Sequence, residues 1–286
     1  MNKINEKIDN TNEFNNSPDK ETFDMLVNEI DYQMEQLNIK SDKDFSEDSN
    51  TAEFLHNVHL VVKYTPGLKL IGEGSSRYVY KMGSGKYVLK LAKNYMGLIQ
   101  NKNEIDVNKI GSADYDCFVR ILAYDPSNIF IVEDLCEELP SSGWQPLLGI
   151  SLYQFIQIVR IVIDRKKDNK TYSVADFLLE CESLDKNSKE IFEIFKPTSP
   201  SDIPYRSTDY DKIISFLKNI VLAAEGRPTS ILWKSLFDVF RFYFDNGGNW
   251  LVLDELPWED QWGTFGSGNN KRIVIIDPGV NSDFAK

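Results

Sequence analysis

The sequence predicts an α+β chain of two lobes. Between about residues 58 and 135, short apolar runs are separated by glycine-containing turns, and a single helical stretch interrupts them. From about residue 147 the apolar residues recur mainly at helical spacing. This order implies a small antiparallel strand lobe with one helix, then a mainly helical lobe, with a cleft between them. The expected divisions are an acidic leader with one helix over 1–57, the strand lobe over 58–137, and a helical lobe over 138–286 that closes on a pair of strands.

Residues 1–17 are rich in Asn, Asp and Glu and read as disordered. Residues 19–37 read as a helix, because Phe23, Leu26, Val27, Ile30, Met34 and Leu37 form one apolar stripe. Asp19 and Glu21 suit its positive N-terminal end. This acidic helix either docks on the rest of the chain or binds an unidentified protein partner. Residues 38–53 are again polar. The β-branched run VHLVVKYT reads as the first strand-like segment, followed by LKLIGEG, RYVYKMG and KYVLKLA. Gly83-Ser84-Gly85 predicts a hairpin turn between the last two. MGLIQNKNEIDVNKI reads as a helix, and FVRILAYD and NIFIVEDL as strands joined by Pro126-Ser127-Asn128.

Beyond these, LGISLYQFIQIVRIVID, SVADFLLECES, KNSKEIFEIF, DYDKIISFLKNIVLAAE and TSILWKSLFDVFRFYFDNG read as helices. Pro197, Pro200 and Pro204 mark a loop. Thr229 or Ser230 caps the last helix and Gly247-Gly248 ends it. WLVLDEL and RIVIIDPG read as the terminal strand pair, with a polar, glycine-rich turn between them.

The 286 residues carry 44 acidic and 32 basic side chains, a net charge of −12, most of it in the leader. That balance argues against a nucleic-acid coat, which needs a basic face. No apolar run is long enough to span a bilayer and the start is not a secretory signal, so an intracellular or particle-borne protein is expected. Cys117, Cys136 and Cys181 lack the spacing of a disulfide framework or zinc site. His56 and His59, the two histidines, have no carboxylate at helical spacing to complete a metal motif, and read as surface or contact residues.

Gly72-Glu73-Gly74-Ser75-Ser76-Arg77-Tyr78-Val79 lies between two expected strands. Glycine there allows a tight bend and close approach to phosphate oxygens, although an ordinary hairpin would use glycine too. The loop runs strand to strand, so it is not a Rossmann loop, and no GK[ST] follows to make a P-loop. In Val88-Leu89-Lys90-Leu91-Ala92, period two places Lys90 on one face with Val88 and Ala92. A lysine on an apolar face needs a counter-charge, and Glu104 on the following helix is the candidate.

Gly72-x-Gly74-x-x-Arg77-x-Val79, then Lys90, then Glu104, resembles the nucleotide-binding lobe of the protein kinase-like superfamily. LKLAKNYMGLIQNKNEIDV is similar to kinase-like proteins of bacteriophages. The resemblance implies ATP and Mg²⁺ as cofactors. It implies that Gly72, Gly74, Val79, Val88, Lys90 and Glu104 line the nucleotide site. The backbone near Glu133, Asp134 and Leu135 would meet the adenine. Val274-Ile275-Ile276-Asp277-Pro278-Gly279 is similar to the metal-binding Asp-Phe-Gly segment, making Asp277 a metal ligand. In NWLVLDELPWEDQWG, Asp254 would be the catalytic aspartate, with Asp260 a rival, and Gln261 the second metal ligand. Gln261 stands where asparagine is usual, Val252 and Leu253 replace the usual histidine and arginine, and the spacing is two residues longer than usual. The chain closes nine residues beyond Asp277, which implies no activation segment for holding a peptide.

Three functions follow as expectations. One is a phosphotransferase moving the ATP γ-phosphoryl group to a protein or small-molecule hydroxyl. The second is a pseudokinase, a binding or assembly module carried in a phage particle. The third is a helical interaction protein with an incidental glycine hairpin.

Overall fold

The structure is a computed structural model. It describes residues 12–111, 115, 117–148, 261–268 and 271–277, with helical positions 232, 234–236, 238, 239 and 242. The expected helices between 149 and 229, their loop and caps, and Asp254 and Asp260 lie outside the described residues. Chain contacts divide the described residues into two compact units, 12–111 with 119–135, and a second built from 115, 117–118 and the described residues after 135.

The first unit is an antiparallel sheet with helices, as the α+β reading expects. Helix α1 is Pro18–Gln36, with proline at its N-terminal turn, and α2 is Ser49–Tyr64. Strands β1 (Lys69–Glu73), β2 (Arg77–Lys81) and β3 (Tyr87–Ala92) follow, then α3 (Tyr95–Gly111), β4 (Ile121–Tyr124) and β5 (Phe130–Asp134). The sheet order is β1-β2-β3-β5-β4. The hairpin between β2 and β3 turns at Gly85, whose φ of 77° favours glycine. Buried Asp19 of α1 holds that turn, its carboxylate accepting from the Ser84 amide at 3.2 Å.

Register splits the sheet into two faces. Val79 pairs with Lys90 and Lys90 with Ile131, while Val88 pairs with Glu133. Lys90 and Glu133 therefore share one face. The opposite face carries Tyr80, Leu89, Leu91, Phe130 and Val132, which pack in one apolar cluster with Phe14, Phe23, Leu26, Ile30 and Met34 of the leader and Phe54, Leu55, Val58 and Val62 of α2. Phe23 meets Phe130 edge-on at 5.4 Å, and Phe14 meets Tyr87 at 5.2 Å. Each such side chain contributes on the order of 2 kcal/mol by leaving water.

Three expectations about the first 65 residues are corrected here. Residues 12–15 are helical and Phe14 is fully buried, so the expected disorder does not extend over them. Besides the helical residues 12–15, the leader holds all of α1 and the start of α2 rather than one helix. VHLVVKYT ends helix α2 instead of forming a strand. Its valines fall in step with Phe54 and Leu55 at spacings of three and four. Asp48 caps the helix by accepting from the Thr51 amide at 2.7 Å. Tertiary burial and the cap outweigh the weak preference of β-branched residues for strands. His59 of this helix stacks on Tyr78 at 3.8 Å, and burial lowers its pKa. His56 is exposed.

Asp125 directly follows β4 and is fully buried. One carboxylate oxygen accepts from the amides of Ser127 (2.9 Å) and Ile129 (3.1 Å), and the other has no donor among the described residues. Burial raises its pKa to about 6, opposed by these two amides and helped by Asp31. The folded pKa exceeds the unfolded value of 3.8. The stability it contributes is therefore complete below that value and is lost as pH rises through 6. Asp125→Asn keeps the amide bonds and removes the charge. It is expected to stabilise the protein by up to about 3 kcal/mol above pH 7 and to change little near pH 4, measured by urea denaturation at both.

In the second unit, β6 (Glu137–Glu138), β7 (Trp262–Phe265) and β8 (Arg272–Ile275) form a sheet in that order, with α4 over Ser141–Leu148. Trp144 of α4 packs edge-on against Trp262 at 5.3 Å. The segment between WLVLDEL and RIVIIDPG, expected to be a turn, contains strand β7, which pairs with β8, while WLVLDEL itself lies outside the described residues. The actual turn holds Gly266 and Gly268, with φ of 87° and 56°. Leu232, Leu236, Val239 and Phe242 are buried along one helical stripe, in keeping with the last expected helix. Among the described residues no helix is long and apolar enough to cross a membrane.

Candidate functional site

The chemistry-bearing cluster of the first unit starts from a strand lysine that must be neutralised. Lys90 is 5% exposed. Its Nζ lies 2.7 Å from Glu104 Oε1 and 2.7 Å from Glu133 Oε1. Glu104 is 6% exposed, and its other oxygen accepts from Arg77 Nη1 at 2.5 Å. Arg77 also reaches Asn101 Oδ1 at 3.4 Å, and Asn101 donates to the carbonyls of Asn128 and Ile129 at 2.9 and 3.1 Å. The result is a buried chain of alternating charge, Arg77–Glu104–Lys90–Glu133. Burial, then the neighbouring Glu104 charge, raises the Glu133 pKa well above the usual carboxylate range, with Lys90 pulling the other way.

The backbone brings these groups together in a definite way. β2 delivers Arg77 and Val79, β3 delivers Val88 and Lys90, and β5 delivers Glu133 to the same face. Helix α3 delivers Glu104. Asn94 sits before α3 and accepts from the Gly97 amide at 3.1 Å, while its own amide group donates to the Ser75 carbonyl at 3.1 Å. The Lys93 amide donates to the Ser76 carbonyl at 2.7 Å, and the Ser76 hydroxyl donates to Gln100. The glycine segment is thus tacked to the first turns of α3.

The expected pairing of Lys90 with Glu104 forms. Arg77 and the Glu133 side chain were not foreseen as its partners. The resemblance gives Arg77 no role, and gives Glu133 one only through its backbone. Arg77 opens β2 and Glu133 stands next to last in β5, so each is a charge near a strand end, but only the register says which charge it meets. Gly72 and Gly74 adopt no positive φ. A Cβ at Gly72 would approach Val79 no closer than 3.6 Å, and one at Gly74 the Arg77 carbonyl no closer than 3.7 Å. The fold itself does not require glycine at either position. It does at Gly97, where a Cβ would stand 2.2 Å from the Ser76 carbonyl oxygen and 2.9 Å from Ala92 Cα.

The amides at the end of β5 are engaged within the unit. Asp134 N donates to the Arg120 carbonyl at 3.2 Å and Leu135 N to the Lys86 carbonyl at 2.8 Å. The Asp134 carboxylate accepts from Arg120 Nη2 at 3.0 and 2.8 Å.

In the second unit, Trp262 pairs with Ile275, and the Ile276 amide donates to the Gln261 carbonyl at 2.9 Å. The ladder therefore places Gln261 and Asp277 at neighbouring chain positions at one end. Both are half-buried. A carboxylate and an amide oxygen are hard donors of the kind Mg²⁺ takes alongside phosphate oxygens. No group of three or more His, Cys, Asp or Glu suited to a metal occurs among the described residues.

No family model matches the chain, and no curated protein matches it. Among solved structures it is similar to one described as the streptomycin-ATP-APH(2")-IIa ternary complex. The identity is 13% and the TM-score 0.25, over 51% of this chain and 48% of that one. The chain thus spans about half the length of that structure, and a likeness at this level carries no argument about fold or activity.

Proposed function

We propose that this chain is a kinase-like protein that binds ATP and moves its γ-phosphoryl group to a hydroxyl. The observation that carries the reading is the buried Lys90, held by Glu104 on one sheet face beside the Gly72–Gly74 segment. A strand lysine fixed by a helix carboxylate is a preorganised cation for phosphate oxygens. Gly72 and Gly74, dispensable to the fold, suit a backbone that a phosphate approaches. Val79 and Val88 offer apolar surface on the Lys90 face. An adenine near Glu133–Leu135 would use carbonyl groups, since the Asp134 and Leu135 amides donate elsewhere.

The reading assigns Asp277 and Gln261 to Mg²⁺, which when bound would neutralise phosphate charge. Asp254 would orient the acceptor hydroxyl. A second reading is a pseudokinase that binds nucleotide without transfer, and Gln261 favours it. Its side chain is longer and holds an oxygen donor less firmly than asparagine would. The leader helix is not assigned to a protein partner, because its apolar stripe packs within its own unit.

The test is thermal denaturation with and without millimolar Mg-ATP. At about 100 times Kd the ligand adds about 2.7 kcal/mol, a rise of a few degrees in Tm. Wild type is expected to show that rise and Lys90→Met to lose it. Phosphate transfer that disappears in Asp277→Ala, with the rise intact, favours the enzyme. Binding with no transfer by wild type favours the pseudokinase. No rise at millimolar Mg-ATP overturns both.

A further inference from the structure

The geometry points to Glu133 as a carboxylate gate on Lys90, holding the ammonium when no phosphate does and giving way, by taking a proton from solvent, when one arrives. This inference rests on the nucleotide reading above and concerns how the site is regulated. An ammonium has three N–H donors, and Glu104 and Glu133 each lie 2.7 Å from it. The two carboxylates are not held alike. Glu104 is clamped between Lys90 and Arg77. Glu133 is held through Oε1, while its Oε2 is buried without a hydrogen-bond donor among the described residues. A buried carboxylate oxygen lacking a donor is costly, so Glu133 is the partner that releases more easily.

Among the described residues, the charged groups facing Glu133 are Lys90 on β3, Glu104 on α3 and, through Glu104, Arg77 on β2. On β4 its register partner is the apolar Ile121. Burial and Glu104 already favour the protonated acid. A phosphate at Lys90 adds further negative charge and draws the ammonium away, so it raises proton affinity again. The neutral acid can then donate its hydrogen to Glu104. Nucleotide binding and proton uptake are thereby linked, and affinity falls as pH rises through the titration of Glu133. Because the position is an acid rather than an apolar residue, the site discriminates against anions at alkaline pH.

Calorimetric titration of the full chain with Mg-ATP, from about pH 6 to about pH 9, tests this. Two buffers of different ionisation enthalpy count the protons taken up. Wild type is expected to lose affinity about tenfold for each unit by which phosphate raises the Glu133 pKa. Glu133→Gln is expected to bind with the tighter affinity across the range and to take up one proton fewer. Glu133→Met provides the same comparison if the amide perturbs folding. Equal proton counts and parallel pH profiles in wild type and both variants overturn the gate and leave nucleotide binding standing. Absence of binding by all three proteins overturns the nucleotide reading, and the gate with it.

Discussion

Replacing Glu104 by alanine is expected to cost about 3–5 kcal/mol of folding stability, because it strips the shared counter-charge from two buried cations. Arg77 and Lys90 are each 5% exposed, and both contact this one carboxylate. Lys90 keeps Glu133, which would become easier to ionise once the Glu104 charge beside it is gone. Arg77 keeps the longer contact to the Asn101 oxygen at 3.4 Å. Glu104→Gln retains an acceptor and should fall between wild type and alanine. Urea denaturation near neutral pH reads the loss directly. A midpoint for Glu104→Ala indistinguishable from wild type would mean that the cations are solvated.

Gly97→Ala is expected to cost about 3 kcal/mol, at the upper end for forcing an extra atom into packed structure. In an exposed helix the same change would gain about 1 kcal/mol, because alanine favours the helical backbone more than glycine does. Here the added Cβ would stand 2.2 Å from a backbone oxygen, which cannot swing aside as a side chain can. To make room, α3 must lift from β3 at the end tied to Ser75 and Ser76, and Glu104 would retreat from Lys90. Stability and Mg-ATP affinity should therefore fall together. Gly74→Ala is the control, expected to cost little stability because its Cβ meets nothing closer than 3.7 Å. A Gly97→Ala protein as stable as wild type would overturn the close approach of α3.

The strands from β1 to β5 and helix α3 were legible because alternation is broken by turn residues at nearly every boundary. Lys90 and Glu104 were legible because a lone cation in an apolar strand demands a partner. What was not legible depended on long-range packing. The valines at 58 and 62 suit a strand or a helix equally until Phe54, Leu55 and the Asp48 cap decide the matter. Trp262–Phe265 is too short, and too broken by Gly263 within it and Gly266 and Gly268 after it, to announce itself as a strand, yet β6 and β8 enclose it. The glycines that drew attention, 72 and 74, are sterically optional, and the sterically compulsory one, Gly97, looked like an ordinary helix residue. Asp254, the proposed hydroxyl-orienting residue, lies outside the described residues.

The acidic leader is the second slice of a sandwich whose filling is the rear of the sheet. Phe14, Phe23, Leu26 and Phe54 share one apolar cluster with Leu89, Leu91 and Phe130. A gene fragment opened at the first strand would discard half of that filling and bare the other half to water. Any autonomous version of the first unit must therefore begin upstream of Phe14, inside a stretch whose composition alone would invite its deletion.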